Sequence, residues 1–231
     1  MKMNEDPLPW VSLMSAEELY IGREGSLSAS GSLTEAHSGK GEGMLPDDNR
    51  ERMSQIVFRC KQGEREALGT LYKMYKQRIY NIAYRMTSNH ADSEEIVQEV
   101  FLKVYQKIGS FRGDSSFTCW IYRIAVNQSH SHWRGKGRRG GNKLVPLSEK
   151  ENLLQQGKDG KRALFHSFIQ QAIASLPMSC RTVFVLHDIE GFTHQEIAAL
   201  KGCSVGASKS LLAKARLKMR RYLQPHMSLM G

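Results

Sequence analysis

The segment Phe117–Arg134 interleaves aromatic and basic side chains, a mixture that can stack on bases and hold phosphates. On a helix at about 100° per residue, the side chains of this segment fall on three faces. The apolar face, which we expect to be core, carries Phe117, Trp120, Ile121, Ile124 and Ala125. The polar face, which could bind phosphates and bases, carries Arg123, Asn127, His130, Ser131 and Arg134. The third face leaves Tyr122 and Trp133 exposed for base stacking or for a protein contact.

Positive charge is concentrated in two parts of the chain. The net charge is +10, yet residues 117–148 contain six Lys or Arg and no acid, and residues 201–231 contain seven and no acid. These two segments together carry +13, so the rest of the chain carries −3. An evenly spread excess would indicate only solubility, whereas two acid-free patches indicate a polyanionic partner such as nucleic acid.

The second basic patch belongs to a predicted helix-turn-helix motif. Thr193 and Glu196 form a capping box for a short first helix, Gly202 permits a tight turn, and Ser204 caps the second helix. The buried face of that second helix is predicted to carry Val205, Leu212, Ala215, Met219 and Leu223. Its opposite face suits a major groove, and the predicted DNA-binding residues are Ser204, Lys209, Ser210, Ala213, Lys214, Arg216 and Arg220. A surface helix with a solvated basic side is the alternative, which the absence of any acid after Glu196 disfavours.

The elements that position these residues are helices, because the apolar pattern has a helical period and no segment alternates like a strand. Within the first helical block, Asp92 is a predicted N-cap, with Glu95 completing a capping box. The predicted fold is all-α: two small helical domains joined by a flexible linker, the C-terminal one a helix-turn-helix. The predicted bounds are a Gly- and Ser-rich disordered arm at 1–50, domains at 51–134 and 161–225, and the linker at 135–160.

Other classes of protein fit the sequence less well. No stretch is long and apolar enough to predict membrane insertion, and no signal pattern is present, so we expect a cytoplasmic protein. The four cysteines form no CxxC pair, which favours buried free thiols over a metal site or disulfides. A nuclease would need clustered carboxylates for metal ions, but Asp114 stands alone beside the first basic patch. The sequence thus predicts no enzyme activity, no metal and no cofactor.

Two long segments carry a resemblance to a known family. "ADSEEIVQEVFLKVYQKIGSFRGDSSFTCWIYRIAVNQSHSHWR" and "LPMSCRTVFVLHDIEGFTHQEIAALKGCSVGASKSLLAKARLKMRRYL" occur in this order on either side of the predicted linker. The chain strongly resembles, from about Met53 to Leu223, the extracytoplasmic-function group of the sigma-70 family, the promoter-specificity subunits of bacterial RNA polymerase. The resemblance implies a sigma factor that binds core polymerase, directs it to specific promoters and helps to open the DNA.

The resemblance also implies roles for particular residues. Contacts to the clamp of core polymerase would involve Asp92, Glu95, Gln98 and Glu99. A base flipped from the minus-ten element would enter the loop formed by Arg112, Gly113, Asp114, Ser115 and Ser116. The non-template strand would lie along a helix through Tyr122, Arg123, Asn127, Ser131 and Arg134. The second helix of the helix-turn-helix would read the minus-thirty-five element, and an anti-sigma factor is a further implied partner.

Some positions depart from the family pattern. Leu211 occupies a place that is often Arg, and Ala207 and Ser208 replace the usual Thr and Val. The promoter sequence that this chain reads is therefore not implied. The alternative function is a helix-turn-helix regulator that acts at an operator without polymerase, which would explain the C-terminal domain but leave the middle block without a purpose.

Overall fold

The structure, a computed structural model, describes residues 46–136 and 157–229, and within those ranges it contains helices and no strand. The N-terminal half, residues 46–136, consists of α1 Pro46–Lys61, α2 Arg65–Thr87, α3 His90–Lys107 and α4 Phe117–Lys136. The C-terminal half, residues 157–229, consists of α5 Gly157–Ser175, α6 Met178–Phe184, α7 His194–Lys201 and α8 Val205–Leu223. Shorter turns follow three helices: Ile108–Ser110, the π-helical Val185–Ile189, and Gln224–Leu229. The all-α prediction is confirmed.

Helix α2 is central to the N-terminal half because apolar side chains recur along it at three- and four-residue steps. Its Leu71, Ile79 and Ile82 are fully buried. Helices α3 and α4 pack on α2 and on each other, and they contribute the buried Ile96 and Ile121 to the same core. This packing leaves the polar faces of α3 and α4 at the surface of the N-terminal half.

The core of the C-terminal half is formed by helices α5 to α8. Helix α5 ends at Ser175, two residues before Pro177, which cannot continue a helix. Helix α6 and the turn after it run from Met178 to Ile189. Helix α8 packs against α5, α6 and α7 and is therefore held along most of its length.

Three helices begin at positions that differ by a few residues from the bounds expected from the sequence. Helix α1 begins at Pro46, inside the arm expected to be disordered, because proline favours the first position of a helix. Helix α5 begins at Gly157, inside the expected linker, because no apolar period marks its first turns. Helix α3 starts at His90, and its N-cap is Asn89 rather than Asp92. Most of the predicted arm and linker, residues 1–45 and 137–156, lies outside the described residues.

The two halves pack against each other through α2 with α5 and α6, and through α4 with α7. Two of the four cysteines, Cys60 and Cys180, are buried as expected, whereas Cys119 and Cys203 are partly exposed, and all four are free thiols. None of the helices in the described ranges is both long enough and apolar enough to cross a membrane.

Candidate nucleic-acid interface

Helices α7 and α8 form the predicted helix-turn-helix motif, and its caps are those expected. The Thr193 hydroxyl oxygen accepts a hydrogen bond from the Glu196 amide at 3.3 Å, and a Glu196 carboxylate oxygen accepts one from the Thr193 amide at 2.9 Å. The hydrogen bonds from Thr193 lower the pKa of the Glu196 carboxyl. Gly202 ends α7 with a φ of 66°, which favours glycine, and Ser204 caps α8 by accepting a bond from the Ala207 amide at 3.1 Å. The predicted motif is confirmed.

Helix α8 buries one face and exposes most of the other. Leu212, Ala215, Met219 and Leu223 are buried as predicted. Val205 is 38% exposed, so its predicted burial is wrong: Ser208 takes the inward place in the first turn and shares a hydrogen bond of 2.9 Å with His194 Nδ1. The predicted DNA-binding residues with exposed side chains are Ser204, Lys209, Ser210, Ala213, Lys214 and Arg220. These residues give α8 a basic outer surface.

Arg216 differs from the other residues on that predicted surface. Its guanidinium donates two hydrogen bonds to Asp188, from Nε to Oδ2 at 3.0 Å and from Nη2 to Oδ1 at 2.7 Å. The Asp188 side chain is only 3% exposed, so the pair satisfies a buried carboxylate. Arg216 therefore attaches α8 to the turn after α6, a role that the sequence pattern did not reveal, and its contact with DNA stays a prediction.

The predicted loop and helix for single-stranded DNA are exposed over most of their length. Residues 112–116 are all exposed, and Gly113 has a φ of 84° that favours glycine. Four of the predicted residues on α4 are exposed: Arg123, Asn127, Ser131 and Arg134. Trp133 is 44% exposed, as expected for the third face. Phe117 is buried in the core as predicted, and Trp120 packs beside it with ring centroids 5.5 Å apart while staying partly exposed.

Tyr122 is the clearest correction to the predicted site. It was expected to be exposed on the third face of α4, but its side chain is 1% exposed. Its ring packs on Phe192, with centroids 5.3 Å apart, and its hydroxyl donates a hydrogen bond to Glu190 Oε2 at 3.3 Å. Both partners belong to the C-terminal half. Helical spacing within one segment cannot show that another half of the chain covers this face.

The predicted polymerase-binding residues on α3 differ in how tightly the N-terminal half holds them. Glu95 and Gln98 are exposed, whereas Asp92 and Glu99 are partly buried. Glu99 accepts a hydrogen bond from the Gln128 side chain, which in turn accepts one from Lys103. Glu99 is thus tied to α4, whereas Gln98, beside it on the middle of α3, is exposed.

Asp92, Glu95 and His132 form a cluster that joins α3 to α4. His132 Nε2 lies 3.2 Å from Glu95 Oε2, and its Nδ1 lies 3.8 Å from Asp92 Oδ2. One ligand atom from each residue lies within 4.8 Å of the others, a spacing compatible with a metal ion. Cysteine spacing could not reveal this cluster, because its members are two carboxylates and an imidazole from separate helices.

The sequence reading missed two exposed apolar residues on α3. Leu102 is 57% exposed and Tyr105 is 63% exposed. They follow Gln98 at steps of four and three residues, so all three lie along one stripe of the helix. The helical period that was used to find the core could have found this stripe, since it identifies apolar residues outside the buried face. Exposed apolar side chains grouped in this way are typical of a surface that binds another protein.

Comparisons with known proteins agree with this division of the chain. The family model "Sigma-70 region 2" matches residues 71–139, and "Sigma-70, region 4" matches residues 169–219. The RNA polymerase sigma-H factor of Pseudomonas aeruginosa is 31% identical over 185 residues, which cover 76% of this chain and 96% of that protein. The chain belongs to the extracytoplasmic-function group of the sigma-70 family. The extracytoplasmic-function sigma-E factor of Escherichia coli is likewise 31% identical over 179 residues, covering 74% of this chain and 93% of that protein.

Solved structures share the fold of this sigma-70 family member. CnrH in complex with the cytosolic domain of CnrY aligns with a TM-score of 0.58 and 21% identity, covering 75% of this chain and 97% of that chain. RpoE of Bartonella quintana, in complex with the anti-sigma factor NepR, aligns with a TM-score of 0.50 and 21% identity, covering 77% and 98%. The resemblance predicted from the two sequence blocks is confirmed.

Proposed function

We propose that this chain binds core RNA polymerase, directs it to specific promoters and helps to open the DNA for transcription initiation. The observation that carries the proposal is the pairing of two units in one chain: a sigma-70 region 2 unit with an exposed polar helix, and a region 4 helix-turn-helix with an exposed basic helix. A regulator that acts at an operator would need only the second unit. Because a subunit of RNA polymerase acts where the polymerase transcribes DNA, this function would place the chain in the cytoplasm.

Contact with the polymerase is assigned to α3. Asp92, Glu95, Gln98 and Glu99 are the polar residues of the proposed contact. The exposed Leu102 and Tyr105 extend it with apolar area, which is removed from water when a partner binds. Because Glu99 is held by Gln128, its carboxylate would meet the partner in a fixed orientation, which lowers the entropic cost of binding.

Recognition of the minus-ten element is assigned to residues 112–116 and to the polar face of α4. The loop is exposed and would receive an unstacked base, while Arg123 and Arg134 would hold phosphates of the non-template strand. Opening duplex DNA costs about 1.4 kcal/mol per base step. The binding of captured bases and the contacts with the polymerase must together offset the cost of several such steps. A stacked base contributes about 1–3 kcal/mol, which is comparable to the cost of opening one base step.

Recognition of the minus-thirty-five element is assigned to α8. A helix of this kind lies in the major groove, where side chains near its N-terminus contact base edges. Ser204, Lys209, Ser210 and Ala213 occupy the N-terminal part of the exposed face, and Lys214 and Arg220 can hold the backbone. This division of contacts is a proposal, as is the DNA contact of Arg216.

Control by an anti-sigma factor is proposed as well. Both solved structures described above are complexes, and one of them names an anti-sigma factor as the partner. Such a partner would compete with the polymerase for surfaces that this chain exposes, among them the stripe of Gln98, Leu102 and Tyr105.

Association with core polymerase tests the proposed function most simply. Tagged full-length chain should retain purified core polymerase on an affinity resin, and Gln98→Arg should reduce the retained amount because it places a bulky charge within the stripe. Gln55→Arg makes the same change at an exposed position on α1 and serves as the matched control. No retention by the unaltered chain would contradict the proposal and favour the regulator.

A further inference from the structure

Helices α3 and α4 bring two carboxylates and an imidazole together near the start of α3. Asp92 and Glu95 lie three residues apart on α3, so their side chains share one side of that helix. His132 on α4 faces both of them: its Nε2 lies 3.2 Å from Glu95 Oε2, and its Nδ1 lies 3.8 Å from Asp92 Oδ2. One ligand atom from each residue lies within 4.8 Å of the others. Two carboxylates therefore converge on one imidazole.

One nitrogen of His132 is left unsatisfied by the protein. The His132 side chain is 11% exposed, and its Nδ1 atom is buried without a hydrogen-bond partner among the described residues. The separation of 3.8 Å from Asp92 Oδ2 is too long for a hydrogen bond. A buried polar atom without a partner is costly, and native proteins pair nearly all such atoms with protein, water or an ion. The unsatisfied Nδ1 therefore points to a bound group between the imidazole and the Asp92 carboxylate.

The chemistry of the three side chains favours a cation as that group. A neutral imidazole has one N–H and one lone pair, so it can donate to only one of two carboxylates, and the other carboxylate faces the lone pair. A cation between the lone pair and the carboxylate removes their repulsion. Imidazole nitrogen and carboxylate oxygen are ligands of Zn²⁺, at about 2.0–2.2 Å from the ion. Two ligand atoms of a tetrahedral ion then lie about 3.4 Å apart, close to the 3.8 Å between Nδ1 and Oδ2.

A second contact between α3 and α4 holds the helices in the register that the cluster needs. Glu99 lies one turn after Glu95 on α3, and Gln128 lies one turn before His132 on α4. The Gln128 side-chain amide donates a hydrogen bond to Glu99, which fixes His132 opposite Glu95. The Glu95 side chain is 57% exposed, so an ion can enter from that side and the carboxylate can rotate toward it. The ligands are thus held close to a binding geometry before an ion arrives.

We propose that Asp92, Glu95 and His132 form a site for a divalent metal ion with the ligand preference of Zn²⁺. Three protein ligands leave the fourth position of a tetrahedral ion for water. The ion would link α3 to α4 and neutralise the two carboxylates. An imidazolium that pairs with both carboxylates without a metal is the competing arrangement.

The site also bears on the polymerase contact, and this part of the inference rests on the proposed function. Asp92 and Glu95 belong to the proposed contact, and a carboxylate that holds a metal ion loses the negative charge that it could offer a partner. Bound metal should therefore weaken association with core polymerase. By linkage, the polymerase should weaken metal binding by the same factor.

Cobalt spectroscopy tests the site in the full chain. Co²⁺ can replace Zn²⁺, and we expect visible absorption bands that added Zn²⁺ abolishes, without the sulfur-to-cobalt charge-transfer band of a cysteine ligand. His132→Gln, Asp92→Asn and Glu95→Gln should each weaken Co²⁺ binding about tenfold or more, since removing even a group that only orients a metal ligand costs about 10–100-fold. His166→Gln alters a partly buried histidine that pairs with Gln170 outside the cluster, and it should leave binding unchanged.

Retention of core polymerase on an affinity resin tests the consequence. Zn²⁺ should reduce by about tenfold the amount of polymerase that the tagged full-length chain retains. The His132→Gln chain keeps both carboxylates of the proposed contact but lacks the imidazole ligand. It should retain the same amount with and without Zn²⁺, and this comparison also removes any effect of Zn²⁺ on the polymerase itself.

The outcomes separate the metal site from the proposed function. No visible absorption with Co²⁺, or equal absorption in the His132→Gln and unaltered chains, would overturn the site and favour the imidazolium pair. If the cluster binds Co²⁺ but Zn²⁺ does not change polymerase retention, the effect on the polymerase is overturned. A chain that binds Co²⁺ through the cluster but never retains polymerase would overturn the function and leave the metal site standing. If a variant at a buried position unfolds, Glu95→Gln at an exposed position still decides the question.

Discussion

The Tyr122 hydroxyl donates a hydrogen bond to Glu190 Oε2 at 3.3 Å, which links α4 in the N-terminal half to the turn after α6 in the C-terminal half. Burial and the nearby Glu190 carboxylate raise the pKa of the Tyr122 phenol, so it stays protonated and remains the donor at neutral pH. Burial also raises the pKa of Glu190, while Arg85 opposes that change. This one bond thus joins a residue of the proposed minus-ten surface to the contact that covers it.

Tyr122→Phe should lower the free energy of unfolding by about 1 kcal/mol, because it removes the hydroxyl and leaves Glu190 without one of its hydrogen bonds. Urea unfolding followed by circular dichroism measures the change. Tyr105→Phe removes a hydroxyl from a tyrosine that is 63% exposed and should have no measurable effect. Equal effects of the two substitutions would contradict the buried position of Tyr122.

Arg216→Ala should destabilise the chain by about 3 kcal/mol, since it leaves the buried Asp188 carboxylate without its guanidinium partner. Arg220→Ala, on the exposed face of the same helix, should change the free energy of unfolding little. The double variant Asp188→Ala, Arg216→Ala should recover part of the loss, because it also removes the buried carboxylate that has lost its guanidinium partner. Additive losses in that cycle would show that the two side chains do not interact.

Charge reversal at Lys209 and Lys214 should abolish promoter-specific transcription and leave binding to core polymerase intact, because phosphate contacts to α8 become repulsive. Arg50→Glu with Arg52→Glu makes the same charge change at exposed positions on α1, in the other half of the chain. We expect that control to retain specific transcription. Unchanged promoter activity in the first double variant would count heavily against α8 as the minus-thirty-five reader.

Arg134→Ala should impair promoter opening more than formation of the closed promoter complex, since Arg134 is assigned to the strand that appears only on melting. Permanganate reactivity of thymines in the minus-ten region reports opening, and gel retardation of polymerase on duplex promoter reports the closed complex. Arg52→Ala, an exposed arginine on α1, is the matched control. Normal permanganate reactivity with Arg134→Ala would refute the assignment.

The free energy of unfolding should decrease as the pH falls, because of the protonation of His130. Burial lowers the pKa of His130 from the ordinary 6.5, and the positive charges of Lys201 and Arg134 lower it further. Below pH 6.5 the unfolded chain therefore binds a proton that the folded chain does not, so this residue's contribution to stability is lost as the pH drops toward its folded pKa. The His130→Gln variant should flatten the pH dependence of unfolding in that window. An NMR titration midpoint of His130 at or above 6.5 would contradict the expectation.

The sequence alone was sufficient to predict those features that depend on residues close together in the chain. The capping box of Thr193 and Glu196, the turn at Gly202 and the buried stripe of α8 from Leu212 to Leu223 follow from spacings of a few residues and are confirmed, whereas Val205 at the start of that stripe is exposed. Phe117 was correctly predicted to be buried, because the helical period places it on the same face as Ile121.

Features that depend on distant residues were predicted wrongly or missed. Tyr122 was expected to be exposed, because nothing in its own segment indicates that Phe192 and Glu190 cover it. Arg216 was read as a DNA contact only, because its partner Asp188 lies 28 positions away in the sequence. The start of α3 was misplaced for a local reason: Asn89 and Asp92 are both good caps, and Asn89 occupies the place where the helix begins.

Run-off transcription with purified core polymerase on genomic fragments tests the central claim most directly. The full-length chain should yield discrete transcripts that core polymerase alone does not make, and mapping their start sites would identify the promoter elements that the chain reads. The Lys209→Glu, Lys214→Glu chain should lose those transcripts. Identical products with and without the unaltered chain would contradict the assignment of promoter-directed initiation.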